Sequence, residues 1–135
     1  MRTTVCALSI FFAFSPNSFG AQPTPLKPEY PGDVALSESA PGKFSYKSFP
    51  ELLRLYVFDG DRAGKSNCYA GCASAWPPLL ASAKEKTSHI GDWTIIQRDD
   101  GYRQWAYKNR PVYTRYHDFD PDADTEKEGF HLLMP

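Results

Sequence analysis

Trp76-Pro77-Pro78 is the tightest local constraint in the chain. Proline fixes its own φ and pushes the residue before it out of the α region, so no helix can run past Ala75. Just upstream lie Cys68 and Cys72, with the small residues Ala70, Gly71, Ala73 and Ala75 around them. This spacing predicts a short helix over 68–75, which Ser66 or Asn67 could cap by accepting its first free amides. Two helical turns are not stable alone in water, so the rest of the chain must hold them.

That rest reads as β-structure. Phe44, Tyr46 and Ser48 alternate with Ser45, Lys47 and Phe49, as in a strand with one aromatic face. After Pro50, a helical turn over 51–54 is compatible with Leu52, Leu53 and Leu55. Residues 54–59 follow as a strand, with Leu55 and Val57 on one side and Tyr56 and Phe58 on the other. Apolar residues on both faces mark a central strand. Residues 60–64 make a turn. Strands are expected over 93–98, 102–107, 112–116 and 130–134, with turns at Asp99-Asp100-Gly101 and Lys108-Asn109-Arg110. Short strands between turn signals predict a mainly β fold of antiparallel sheet, with one short helix.

The N-terminal residues differ in kind. Arg2, the apolar run 5–14 and Ser18-Phe19-Gly20 have the layout of a secretory signal over 1–20. The run is too short for a membrane-spanning helix. Cleavage would remove Cys6 and leave Cys68 and Cys72 as an even pair in an oxidising compartment. Cys6 does not stand where a lipid-attachment cysteine would, so no lipid anchor is expected. Residues 21–42, with Pro23, Pro25, Pro28, Pro31 and Pro41, read as an extended leader. A single domain is then expected over 43–135, a length suited to one core.

The formal net charge is −1. It becomes about −2 without the signal, because Arg2 is the only charged residue there. Nothing in that balance points to nucleic acid or an anionic membrane as partner. The 8 Tyr and 3 Trp all lie beyond residue 20 and suit a small aromatic core edged by polar tips.

One pattern occurs twice. Tyr56 stands five residues before Asp61, and Tyr113 five before Asp118, so two related β units are expected. Tyr56-Val57-Phe58-Asp59-Gly60-Asp61 resembles the Tyr-x-aromatic-x-x-Asp motif of a bacterial secreted-repeat, or predicted lipoprotein, family of unknown function. The segments Gly64–Cys68, Cys72-Ala73 and Ala75–Leu79 resemble the stretch that follows the motif in that family. Arg98–Gly101, Gln104–Lys108 and Pro111-Val112-Tyr113 resemble its second half. The resemblance covers about 49–133. Arg115 departs from the aromatic position of the second motif, and Phe130-His131-Leu132 stands where Trp-His is usual. It implies a periplasmic or secreted location and no established activity. Tyr56, Phe58, Asp61, Tyr113 and Asp118 are the motif's candidate binding positions.

Cysteines four apart on one helix face would have Cα atoms about 6 Å apart, within disulfide range. A structural bond between Cys68 and Cys72 is the first expectation. A redox pair, activated by a helix N-terminus and by Arg62 or Lys65, stays open, as does a metal site. The loop 118–128 alternates acids. Asp118, Asp120, Asp122 and Asp124 could hold Ca²⁺ weakly, with His117 beside them, although Ala123 and Gly129 break the EF-hand pattern. No other cofactor is expected. There is no Gly-x-Ser-x-Gly, His-Glu-x-x-His or Cys-x-x-Cys-His motif. The expectation is a β-rich envelope module, structural or binding an unknown envelope component. The alternative is a redox or metal-handling protein using Cys68 and Cys72 or the acidic loop.

Overall fold

The computed structural model describes residues 28–117 and 128–135. Its elements are β1 (Val34–Ala40), β2 (Lys43–Ser48), β3 (Tyr56–Phe58), α1 (Gly71–Ala75), β4 (His89–Ile90), β5 (Trp93–Gln97), β6 (Arg103–Tyr107), β7 (Arg110–Tyr113) and β8 (Phe130–Leu132). The fold is mainly β, with two antiparallel sheets and one short helix next to a disulfide. β1 and β2 form a two-stranded ribbon, and the other strands form a six-stranded sheet ordered β4-β5-β6-β7-β3-β8.

β3 lies between β7 and β8, as its two apolar faces require. Leu55, Val57 and Val112 turn to one side and join Tyr46, Trp93, Trp105 and Tyr107 in the larger core. Tyr56 and Tyr113 turn to the other side, with Cys68, Trp76 and Phe130. There Trp76, Phe130 and Phe58 stack in sequence, with centroids 3.9 and 4.4 Å apart. The three tryptophans are thus core residues.

The two echoing segments are neighbours in one sheet. Tyr56 pairs with Tyr113 and Val57 with Val112 across β3 and β7. The echo therefore brings two tyrosines side by side within a single ladder.

β6 and β7 pair only at Ala106–Pro111 and Tyr107–Arg110, next to the Lys108-Asn109 turn. Both turn residues have positive φ, at 46° and 64°, as a tight two-residue hairpin needs. Beyond the turn the strands part, and the chain after the helix enters the gap. Leu79 N–H donates to Val112 O at 2.9 Å, and Trp105 N–H donates to Leu79 O at 2.8 Å. Trp76-Pro77-Pro78 thus ends the helix and sends the chain between two strands as an extended bridge.

Three expectations are corrected. The leader does not run to residue 42, because Val34–Ala40 forms β1 and pairs along β2. Behind it, Asp33 Oδ2 accepts from Trp105 Nε1 and from Ser82 N–H, each at 2.9 Å. Residues 51–54 form no helical turn: Leu52 has φ 60°, outside the right-handed helical region. The helix starts at Gly71, and its N-cap residue, Ala70, makes no side-chain cap. Ser66 and Asn67 bond elsewhere: Asn67 Nδ2 donates to Gly60 O, and Ser66 Oγ accepts from Arg98.

Candidate functional site

The motif residues converge on a buried polar chain beneath the Tyr56–Tyr113 pair. Asp61 lies in the turn after β3, where Asn67 N–H donates to its Oδ1 at 2.7 Å. Its Oδ2 accepts the Tyr113 hydroxyl proton at 2.8 Å. The tyrosine of the second motif thus meets the aspartate of the first. Ser66 Oγ stands 2.7 Å from Tyr113 Oη. A phenol has one proton, and Asp61 takes it, so Ser66 donates to Tyr113.

Arg98 closes the chain from the other end. It sits at the end of β5, and its side chain is 0% exposed. Nη1 donates to Ser66 Oγ at 2.9 Å and to Gln104 Oε1 at 2.7 Å. Nη2 donates to Cys68 O at 2.9 Å and meets Asp100 Oδ2 at 3.0 Å. Nε donates to both Asp100 oxygens. Every guanidinium nitrogen is therefore engaged. The Tyr69 ring lies 4.5 Å from the guanidinium carbon. Gln104 passes the contact on, donating to Val112 O at 2.8 Å.

Every proton in Arg98–Ser66–Tyr113–Asp61 points from the buried cation toward the carboxylate, and bonds aligned in this way polarise one another. Burial raises the Asp61 pKa; the bonds from Asn67 and Tyr113, and the charges of Arg98 and Arg110, oppose that rise. Burial, with Asp61 close by, also holds the Tyr113 phenol well above its ordinary value. The hydrogen bond from Arg98 keeps Asp100 below the usual carboxylate range. Tyr113 stays neutral at any ordinary pH and keeps its proton toward Asp61. Ser66 is buried. The chain ties the turn after β3, the β5–β6 hairpin, β7 and the cysteine loop into one body.

Cys68 and Cys72 are joined by a disulfide, with Cα atoms 5.2 Å apart. Because Cys68 precedes the helix, the bond links the incoming loop to the helix's first turn. Cys68 is fully buried, and its carbonyl is an Arg98 acceptor. The covalent staple and the polar chain thus share a residue.

Of the motif positions, Tyr56, Phe58, Asp61 and Tyr113 lie together. Phe58 stacks on Phe130 beside them, and Gly60 lies close under its ring. Asp118, Asp120, Asp122 and Asp124 fall outside the described residues. Among the described residues no three His, Cys, Asp or Glu side chains group as metal ligands. His131 Nε2 meets Asp59 Oδ2 at 2.6 Å, and Arg110 approaches Asp59 Oδ1 at 3.4 Å. This makes a surface row across β8, β3 and β7. Asp61 opens on a small cleft of about 180 Å³ that Arg62, Lys108 and Arg110 also line.

The sequence reading missed Ser66, Arg98, Asp100 and Gln104 as a group. One signal was present: Gln104 occupies an alternating position in a strand otherwise rich in aromatic and small residues, where a buried amide needs partners. Comparison of the chain with protein-family models, curated proteins and solved structures gives no match. Among the described residues no helix is long and apolar enough to cross a membrane.

Proposed function

We propose that this chain is an exported bacterial envelope or secreted module. It would serve as a structural element or bind an envelope component, and would be related to the secreted-repeat family that its motifs resemble. The observation that carries the reading is that Tyr113 and Asp61, two of the motif's conspicuous side chains, bond to each other inside the fold, with Ser66 linking Tyr113 to the buried Arg98. Side chains engaged in this way hold strands and loops in place. The disulfide, closed on a fully buried Cys68, fits a structural staple in an oxidising compartment better than a thiol exchanging with partners. The signal-like residues 1–20 supply the route to that compartment.

The test is expression of the full chain in a bacterial host, followed by fractionation, intact-mass measurement and thiol labelling without reduction. The expected product is found in the envelope or medium, lacks its first 20 or so residues and has no reactive thiol. An uncleaved protein in the cytosol with two labelled cysteines in the folded domain would overturn the reading.

A further inference from the structure

A pocket of about 350 Å³ opens between the loop that follows β2 and the extended bridge that follows α1. Its volume lies within the roughly 300–1,000 Å³ typical of small-ligand sites. Asp33, Ser48, Phe49 and Glu51 line it from the ribbon side, and Leu80 and Thr114 from the bridge and the end of β7. The loop is held on every side. Ser48 N–H donates to Leu53 O at 2.9 Å, Leu52 N–H to Ser48 O at 3.0 Å and Phe49 N–H to Asp33 O at 2.9 Å. Leu53 N–H donates to Ser48 Oγ at 3.1 Å. Leu52 is kept at φ 60°, in the left-handed region where a leucine is strained. Such strain persists only where the surroundings over-determine it, and it gathers at ligand clamps. The loop thus fixes Phe49 while leaving it 56% accessible.

The polar groups of the pocket have bonds left to make. Ser48 is buried, and its Oγ accepts Leu53 N–H, so its own proton has no acceptor among the described residues. Asp33 commits Oδ2 to Trp105 and Ser82, which leaves Oδ1 without a partner among those residues. Thr114 gives its proton to Pro77 O at 3.3 Å and keeps its oxygen free to accept. Glu51 adds an exposed carboxylate, and no Lys or Arg lines the pocket among the described residues. One donor proton therefore stands beside several acceptors. An ammonium answers the acceptors alone and a carboxylate the donor alone; a hydroxyl, which gives and takes, answers both. Phe49 and the 41% accessible Leu80 present apolar surface beside these groups, of the kind that packs on the C–H face of a sugar ring.

From this set of donor, acceptors and open aromatic ring we infer that the pocket beside the 48–53 loop binds a neutral pyranose saccharide. The sugar ring would lie on Phe49, and its hydroxyls would meet Ser48, Asp33 and Glu51. The inference rests on the binding reading proposed above and names the class of envelope component bound.

The test is a titration of the ¹⁵N-labelled, disulfide-intact protein, followed by amide and indole N–H resonances. The probes are the methyl glycosides of glucose, galactose, mannose and N-acetylglucosamine, with butylammonium as the comparison. Each is taken to roughly 50 mM, which reads even millimolar dissociation constants. At least one glycoside is expected to give saturable shifts at Ser48, Phe49 and Leu53. The Trp105 indole N–H should shift with them, because it donates to Asp33. Phe49→Ala and Glu51→Ala change exposed side chains and should each weaken binding about two- to tenfold, the worth of an aromatic contact or a hydrogen bond. Ser48→Ala should weaken it further; should that change disturb the loop, the Phe49 and Glu51 variants carry the reading. Three results would each sink the inference: no glycoside shifting these resonances, saturable binding left unchanged by Phe49→Ala, or butylammonium filling the site more tightly than every glycoside. Export and thiol state are measured separately, so failure here leaves the proposed location standing.

Discussion

At the scale of single residues, the Tyr113 hydroxyl is engaged in both directions. It accepts from Ser66 and donates to Asp61. Tyr113→Phe keeps the ring packed against Phe130 and removes only the oxygen. It leaves the Ser66 proton and one Asp61 oxygen without their partner, so urea unfolding should show a loss of about 1–3 kcal/mol. Asp61 gives a second expectation, with a definite sign. Its folded pKa is raised, so between its unfolded and folded values the native state holds more protons than the unfolded state. The stability it contributes is full below the unfolded pKa and falls as pH rises through the folded one. Asp61→Asn should therefore cost more at pH 3 than at pH 7 when melting curves are compared. Asp100, whose pKa is lowered, acts in the opposite sense, and its contribution is lost as pH falls. A rise in the cost of Asp61→Asn from pH 3 to pH 7 would contradict the assignment.

At the scale of elements, the ring stack and the turn beneath it depend on the absence of a side chain. A Cβ on Gly60 would fall 2.4 Å from the Phe58 ring, and Gly129 approaches the other edge of that ring. Gly60→Ala must displace Phe58 from its place on Phe130, and overpacking of this kind costs about 1–3 kcal/mol. The near-ultraviolet circular dichroism should change with it. At Gly101 a Cβ meets nothing within 4 Å, but φ is +88°. There only the backbone would object. The β5–β6 turn was legible from Asp99-Asp100-Gly101 because such chemistry is local. The helix start was not: Ser66 and Asn67 are good caps in isolation, but tertiary partners took their side chains.

For the whole molecule, two expectations follow. A chain beginning at Lys43 would lack β1 and would also lose Asp33, which accepts from Trp105 and Ser82. That truncation should lower the melting temperature markedly. The disulfide closes a very small loop, for which chain entropy gives about 2 kcal/mol. Replacing both Cys68 and Cys72 by Ala should lower the melting temperature by roughly 10 °C in a domain of this size. A larger fall would show that the buried Cys68, through its carbonyl contact with Arg98, also holds the polar chain in place.

The sequence by itself determined the strands other than β1 and β4, the turns at Asp99-Asp100-Gly101 and Lys108-Asn109-Arg110 and the end of the helix, and it made the Cys68–Cys72 bond the first expectation. Each follows from alternation, from proline and glycine stereochemistry, or from a four-residue spacing. Only the tertiary structure decided that Tyr56 faces Tyr113 and that Leu79 bridges two parted strands. Only the fold showed that Arg98 reaches Ser66 and the Cys68 carbonyl, some thirty residues away, as well as Asp100 and Gln104 in its own hairpin. Residue patterns report which face of an element is apolar. The partners of a buried hydrogen-bonding group come into view only when distant segments meet, because desolvation makes such a group find its partners wherever the fold offers them.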